Sequence, residues 1–282
     1  MKSQAKYSVG YQPRLYPKDY RAKEKNSRKR MIFFILILFF ILALGYFLFF
    51  SPIFKVKEIK ISGSRAIGSD AIYQYLNDFR FKKVLIFFNR DNIFLLTKSK
   101  LKNILIDRFP RILSIQINKD IFKKNISIQI TERKEVGIYC QAQNLSEEIL
   151  EGCYYIDGEG VIFEEAPQTS GTLILVIKDY SGKEIKIRDS AIDKELIVKF
   201  IELRDILSSQ FSLKALDFVI EKDGTKDFRL DTNEGWYILF DGSRDLESQI
   251  MALRLVLEEK IKEARKNLEY IDLRIENRVY YK

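Results

Sequence analysis

The spacing of hydrophobic positions changes along this chain, and each change predicts a different kind of structure. Residues 31–50, MIFFILILFFILALGYFLFF, are twenty consecutive positions without a charge. At a rise of about 1.5 Å per residue such a helix is about 30 Å long, close to the thickness of a bilayer's hydrocarbon core. No polar stripe interrupts it, as one would in a helix buried in a soluble core. A cleaved signal peptide has a shorter apolar core, of roughly 7–15 residues, and a small-residue exit site. Here Ser51-Pro52-Ile53-Phe54 follows instead, so one retained membrane span is expected, and no later segment resembles a second.

After the span, residues 54–61, FKVKEIKI, mix apolar and charged positions as a half-buried strand does, and Gly63 marks a turn. From Ser69, an N-cap residue, Ala71, Ile72, Tyr75, Leu76 and Phe79 recur at helical spacing. Leu101, Ile104 and Leu105 predict a second helix ending near Arg108, because Pro110 restricts the residue before it. Two alternating strands follow: Leu113, Ile115, Ile117, then Ile126, Ile128, Ile130. Their polar partners Ser114, Gln116, Asn118 and Ser127, Gln129, Thr131 give the hairpin one wet face.

From about Glu132 the signals become short strands: 136–140, 153–156, 161–163, 172–177 and 184–187, with Asp157-Gly158-Glu159-Gly160 as a hairpin turn. A helix over 190–208 has Leu196, Ile197, Phe200, Ile201 and Leu207 inward, and strands follow at 214–220, 227–231 and 236–240. The longest helix is predicted over 243–266, with Leu246, Ile250, Leu253, Leu257 and Ile261 as its buried stripe. A last strand, 269–275, extends through Arg278 to Tyr281. The fold class is thus α+β, divided into a tail (1–30), a span (31–50), a first module (54–131) and a second module with two helices (132–282).

Charge is divided unevenly by the span. The tail holds ten Lys or Arg against Asp19 and Glu24, a net +8. The chain has 48 basic and 39 acidic residues, leaving 38 against 37 beyond residue 30, only +1. The positive-inside rule puts the tail in the cytoplasm, against anionic head groups of the lipid bilayer, and the modules outside. Those modules have no overall cationic field to attract nucleic acid.

The chain has no histidine, which excludes Ser-His-Asp triads, Cys-His nucleophiles and histidine metal sites. No catalytic residue, cofactor, metal site or small-molecule substrate is indicated. Asp157, Glu159, Glu164 and Glu165 leave a carboxylate-dependent, membrane-anchored wall hydrolase as the lesser alternative; a hairpin turn that requires Asp and Gly explains the first pair, and a solvated strand end the second. Cys140 and Cys153 fall on strands that flank one loop; antiparallel pairing would place them opposite each other as a disulfide, and two separate core hydrophobes is the other reading. Trp236, the sole tryptophan, is expected first as a core or sheet-face anchor.

The order of elements and several local words resemble the FtsQ/DivIB family of bacterial cell-division proteins. The words are Phe54 to Gly63 (FKVKEIKISG), Arg108-Phe109-Pro110, Ile128 to Lys134 (IQITERK), Tyr154 to Phe163 (YYIDGEGVIF), Gly235 to Gly242 (GWYILFDG) and Tyr270 to Arg274 (YIDLR). Arg111, Ile121-Phe122 and Leu175-Val176 depart from the family's usual residues. The resemblance implies that the first module is a POTRA domain (β-α-α-β-β) and the second a mixed β domain. It also implies a non-enzymatic, bitopic scaffold of the divisome, at the division site of the inner membrane. Such a scaffold recruits an FtsL and FtsB/DivIC-type pair by strand addition and helps control septal peptidoglycan synthases. Tyr270, Asp272, Arg274, Ile275 and Asn277 would then present the partner surface, with Tyr280 and Tyr281 near. The terminal strand 269–275 is the expected free edge, because nothing after it was expected to cover it. A secondary POTRA contact would involve Ser114, Ile117 and Lys119. A POTRA-bearing component of secretion or envelope assembly is a further alternative.

Overall fold

The computed structural model describes residue 10 and residues 19–81, 83–85, 88–89, 91–142, 150–169, 172–221 and 226–282. The architecture is α+β, with an apolar N-terminal helix followed, among the described residues, by two large hydrophobic cores. Helix α1 (Asp19–Phe50) contains the uncharged run. Its stretch Arg28–Phe49 is long and apolar enough to cross a membrane, and its apolar window is not buried against the rest of the chain. Ser51 follows, accepting a hydrogen bond from the Ile53 N–H at 3.2 Å, and Pro52–Phe54 forms one 3-10 turn. The strand expected from residue 54 therefore begins only at Glu58, since a Ser cap followed by Pro favours a helical turn over an extended start.

The first module comprises β1 (Glu58–Ser62), α2 (Ser69–Phe81), a short hairpin of β2 (Lys83–Leu85) and β3 (Phe88–Asn89), α3 (Lys98–Arg108), β4 (Ile112–Asp120) and β5 (Asn125–Glu132). The sheet order is β1-β5-β4, with β1 parallel and β4 antiparallel to the central strand. Ile72 and Leu76 of α2 and Leu101 and Leu105 of α3 pack with Ile126, Ile128 and Ile130 of β5. Two expected inward positions are corrected. Ala71 is exposed, because one residue is 100° of helix rotation away from the stripe that Ile72 and Leu76 define. Leu113 is 47% exposed and Ile112 takes its place in the core, because the register against β5 shifts between Ile112 and Ser114. A one-residue bulge sends the side chain to the opposite face.

The second module comprises β6 (Glu135–Ala142), β7 (Leu150–Asp157), β8 (Ile162–Glu165), β9 (Leu175–Asp179), α4 (Lys194–Phe211), β10 (Ala215–Ile220), β11 (Asp227–Thr232), β12 (Tyr237–Asp241), α5 (Leu246–Leu255), β13 (Tyr270–Asp272) and β14 (Tyr280–Tyr281). They form a mixed nine-stranded sheet in the order β14-β13-β12-β11-β10-β9-β6-β7-β8. Helices α4 and α5 contribute Ile197, Phe200, Leu203, Ile250 and Leu253 to a core shared with Phe218, Phe228, Ile238 and Phe240. Phe200 lies 4.5 Å from Phe218 and 4.8 Å from Phe228, ring centre to ring centre. Trp236 is buried in the same core, as the pattern suggested.

Several expected elements differ. Residues 184–187 form no strand. β9 is already paired on both sides, with β6 and β10, so a following hairpin strand has no edge to join. Helix α4 begins at Lys194 rather than near 190 and ends where Ser212 turns left-handed (φ 55°). Its buried stripe includes Leu203 and Phe211, while Leu196 and Ile201 are half-buried. The helix expected over 243–266 starts at Leu246, where the Asp245 carboxylate accepts from the Ser248 N–H. It is regular only to Leu255; Val256–Ile261 is a π turn and Lys262–Asn267 a 3-10 turn. Leu253, Leu257 and Ile261 recur every four residues and drift around a 3.6-residue helix, and the wider π turn keeps them toward the core.

Candidate functional site: the C-terminal sheet edge

A nine-stranded open sheet has two outer strands. At one end β8 is bracketed: the Arg188 N–H donates to Ile162 O at 2.7 Å and the Ile162 N–H to Asp189 O at 3.1 Å. At the other end β14 pairs with β13 on one side, and among the described residues no strand pairs on its other side.

The registers are Ile271 with Tyr281 and Asp272 with Tyr280. Lys282 and Tyr270 exchange both backbone hydrogen bonds, at 3.2 and 3.4 Å. Bonding direction alternates from residue to residue in an antiparallel pair, so the Tyr281 N–H and C=O point away from β13, toward the open side. Unpaired main-chain groups of this kind are what an added strand binds. The expectation of a long terminal strand with nothing to cover it is thus corrected. β13 is three residues long and is flanked by β12 and β14. The chain reverses at Ile275–Arg278, with Asn277 at φ 60° and the Arg278 N–H on Ile275 O at 3.3 Å, and places Tyr280 and Tyr281 outside it.

The sequence-predicted residues divide into two sets. Tyr270 is half-buried and stacks on Tyr237, 5.7 Å between ring centres. Asp272 and Arg274 form a forked ion pair at 3.0 and 2.7 Å, and Arg274 also lies 3.7 Å from Asp227. Burial opposes ionisation of Asp272, but hydrogen bonds from the Arg274 side chain and N–H hold its carboxyl below the usual aspartate range. The hydrogen bond to Asp272 raises Arg274 in return. These three residues brace the strand. Ile275, Asn277, Tyr280 and Tyr281 are exposed and remain available for contact.

A cleft of about 620 Å³ runs between α5 with its π turn and the reversal after β13, lined by Ala252, Leu255, Val256, Ile275, Asn277 and Val279. The Arg244 guanidinium fixes one wall by donating to Leu273 O at 2.9 Å. Sequence reasoning missed the helix side of this cleft. The available signal was Leu255 and Val256, apolar residues off the buried stripe of their helix.

The secondary set lies on the other sheet. β4 is an outer strand of the three-stranded sheet, and Ser114 is exposed on it. Ile117, however, is buried in the first core, and the Lys119 ammonium donates to Ile93 O at 3.0 Å. Burial, then repulsion from Lys98, pushes the Lys119 pKa down. Cys140 and Cys153 lie opposite each other on β6 and β7 and are joined as a disulfide. Three of the four clustered carboxylates are engaged locally. Asp157 accepts from the Glu159 and Val161 N–H groups and pairs with Arg133, Glu159 pairs with Lys194 at 2.7 Å, and Glu164 with Arg111 at 2.6 Å.

No protein-family model matches the chain, and no curated protein shows significant similarity to it.

Proposed function

We propose that this chain is a membrane-anchored scaffold of bacterial cell division. In this reading α1 crosses the inner membrane with the basic tail in the cytoplasm. The first module is a POTRA domain and the second a β domain whose last strand recruits an FtsL and FtsB/DivIC-type pair, bearing on the septal peptidoglycan synthases. The observation that carries it is the open outer strand β14, which presents the Tyr281 N–H and C=O beside the exposed Ile275, Tyr280 and Tyr281. Further support comes from the order β1-α2-α3-β4-β5, interrupted among the described residues by the β2–β3 hairpin, and from the apolar helix ahead of it. A scaffold needs no catalytic group, and a partner tethered in the same membrane meets this edge at high effective concentration.

The test is localisation and depletion in a bacterium that carries the chain. A fluorescent fusion should form a mid-cell ring, and depletion should give filaments with segregated chromosomes. Even distribution around the envelope with normal septation would sink the proposal. Such a result would favour a secretion or envelope-assembly role.

A further inference from the structure

The end of the first module that adjoins α1 has a surface suited to the bilayer itself. The α1 exit is fixed to this module by main-chain and side-chain contacts. Asn92 Nδ2 donates to Leu48 O at 2.9 Å and Phe49 O at 3.1 Å, which are carbonyls left unpaired at a helix C-terminus. The Ile93 N–H donates to Phe54 O at 2.9 Å, and the Phe54 ring stands 6.0 Å from Phe47 and 5.2 Å from Phe94. From there β1 runs away from α1 and β4 returns toward it. The turn 121–124 therefore closes at the α1 end, with the Lys57 N–H on Lys124 O at 2.8 Å.

Seven large apolar side chains of the first module and of the turn that leads into it are exposed among the described residues: Ile53, Tyr73, Phe81, Phe94, Leu113, Ile121 and Phe122. Scattered at random they would need no explanation. Five of them, all but Tyr73 and Leu113, gather at the α1 end, Phe81 because it follows Arg80, whose guanidinium reaches Val56 O at 2.6 Å. Phe122 is 97% exposed at the tip of the turn, followed by Lys123 and Lys124, with Lys57 beside them. An aromatic tip fringed by lysines suits the boundary between acyl chains and head groups, where rings bury and ammonium groups stay with the phosphates.

We infer that the turn 121–124, with Phe122 at its tip, dips into the outer head-group layer of the membrane that α1 spans. The inference rests on the reading of α1 as a span. It makes the first module a body docked on the bilayer at two points, fixing the tilt at which the second module and its open strand stand above the surface.

The test places one environment-sensitive dye at Phe122→Cys, Leu113→Cys or Leu42→Cys in the full chain, reconstituted in vesicles of zwitterionic and anionic phospholipid with spin-labelled lipids as depth probes. The label at 42 should be quenched most by probes at the bilayer centre. The label at 122 should shift to the blue and be quenched most by shallow probes. The label at 113, at the far end of β4, should stay unquenched, which also controls for the dye's own affinity. Labels at 122 and 113 behaving alike while 42 is quenched deeply would overturn the inference and leave the span standing; loss of quenching at 42 as well would remove both. Exchanging Lys57, Lys123 and Lys124 for Glu should reduce shallow quenching at 122 on anionic vesicles, and unchanged quenching would overturn the role given to the lysines.

Discussion

Removing the Cys140–Cys153 link should destabilise the second module by an amount that its loop length sets. The cysteines are 13 residues apart, so the closed loop holds about 14 residues, and the chain-entropy relation gives about 3 kcal/mol at 25 °C. In a module of roughly 150 residues, each kcal/mol moves the melting temperature by about 2–4 °C, so the expected fall is about 6–12 °C. Trp236, the only tryptophan, is buried in the second core and reports its unfolding by fluorescence. Oxidised and fully reduced full-length protein in detergent should be compared, since this pair differs in the link and not in the buried sulfur atoms. Cys140→Ala with Cys153→Ala should fall further, because both sulfurs sit in the small cluster with Ile138. Coincident midpoints for the oxidised and reduced forms would show that the link does not stabilise the module, and two free thiols in the native protein by mass spectrometry would show that it does not form.

Other substitutions probe single contacts. Gly160→Ala puts a Cβ 1.9 Å from Ile192 O at φ 79°; the left-handed backbone alone costs about 1–2 kcal/mol, so a thermal stability loss below that range would contradict the turn geometry. Asp272 has a folded pKa below its ordinary 3.8, so its contribution is full above 3.8 and is lost as pH falls through the lower folded value. The stability gap between the native protein and Asp272→Asn should therefore be wide at neutral pH and close as solutions are acidified below about pH 4, in denaturation midpoints; a constant gap contradicts the pairing. Arg111 joins the modules through Glu135 at 3.2 Å, Glu164 at 2.6 Å and the Phe163 ring at 5.1 Å. With carboxylates about half exposed, Arg111→Ala should cost roughly 1 kcal/mol, and a double-mutant cycle with Glu164→Ala should show coupling.

Much of the fold was legible in the sequence because its pattern and its burial coincide. Ile126, Ile128 and Ile130 alternate with less buried residues as their spacing implies, and Leu253, Leu257 and Ile261 are all buried in the second core. What failed depended on neighbours distant in sequence. Leu113 reads as part of the alternation, yet a bulge against β5 turns it outward. Residues 184–187 have the composition of a strand, but both sides of β9 are taken. At the candidate site, Ile275, Asn277, Tyr280 and Tyr281 were expected on the surface and are exposed, whereas the identity of the outer strand was not legible. Local spacing does not reveal that the chain reverses at Asn277 to bring Tyr281 opposite Ile271. Nor does it reveal that Asp272 and Arg274 pair with each other at the edge.

In the proposed function a partner strand bonds to the outward main chain of Tyr281. Tyr281→Pro removes that N–H without breaking a bond to β13, while Tyr281→Ala removes only the ring. Titration of the full-length protein with an FtsB/DivIC-type partner measures both. Tyr281→Pro should weaken binding at least tenfold, about 1.4 kcal/mol, and Tyr281→Ala should retain the larger share. Binding by Tyr281→Pro equal to that of the native chain would contradict the proposed strand addition.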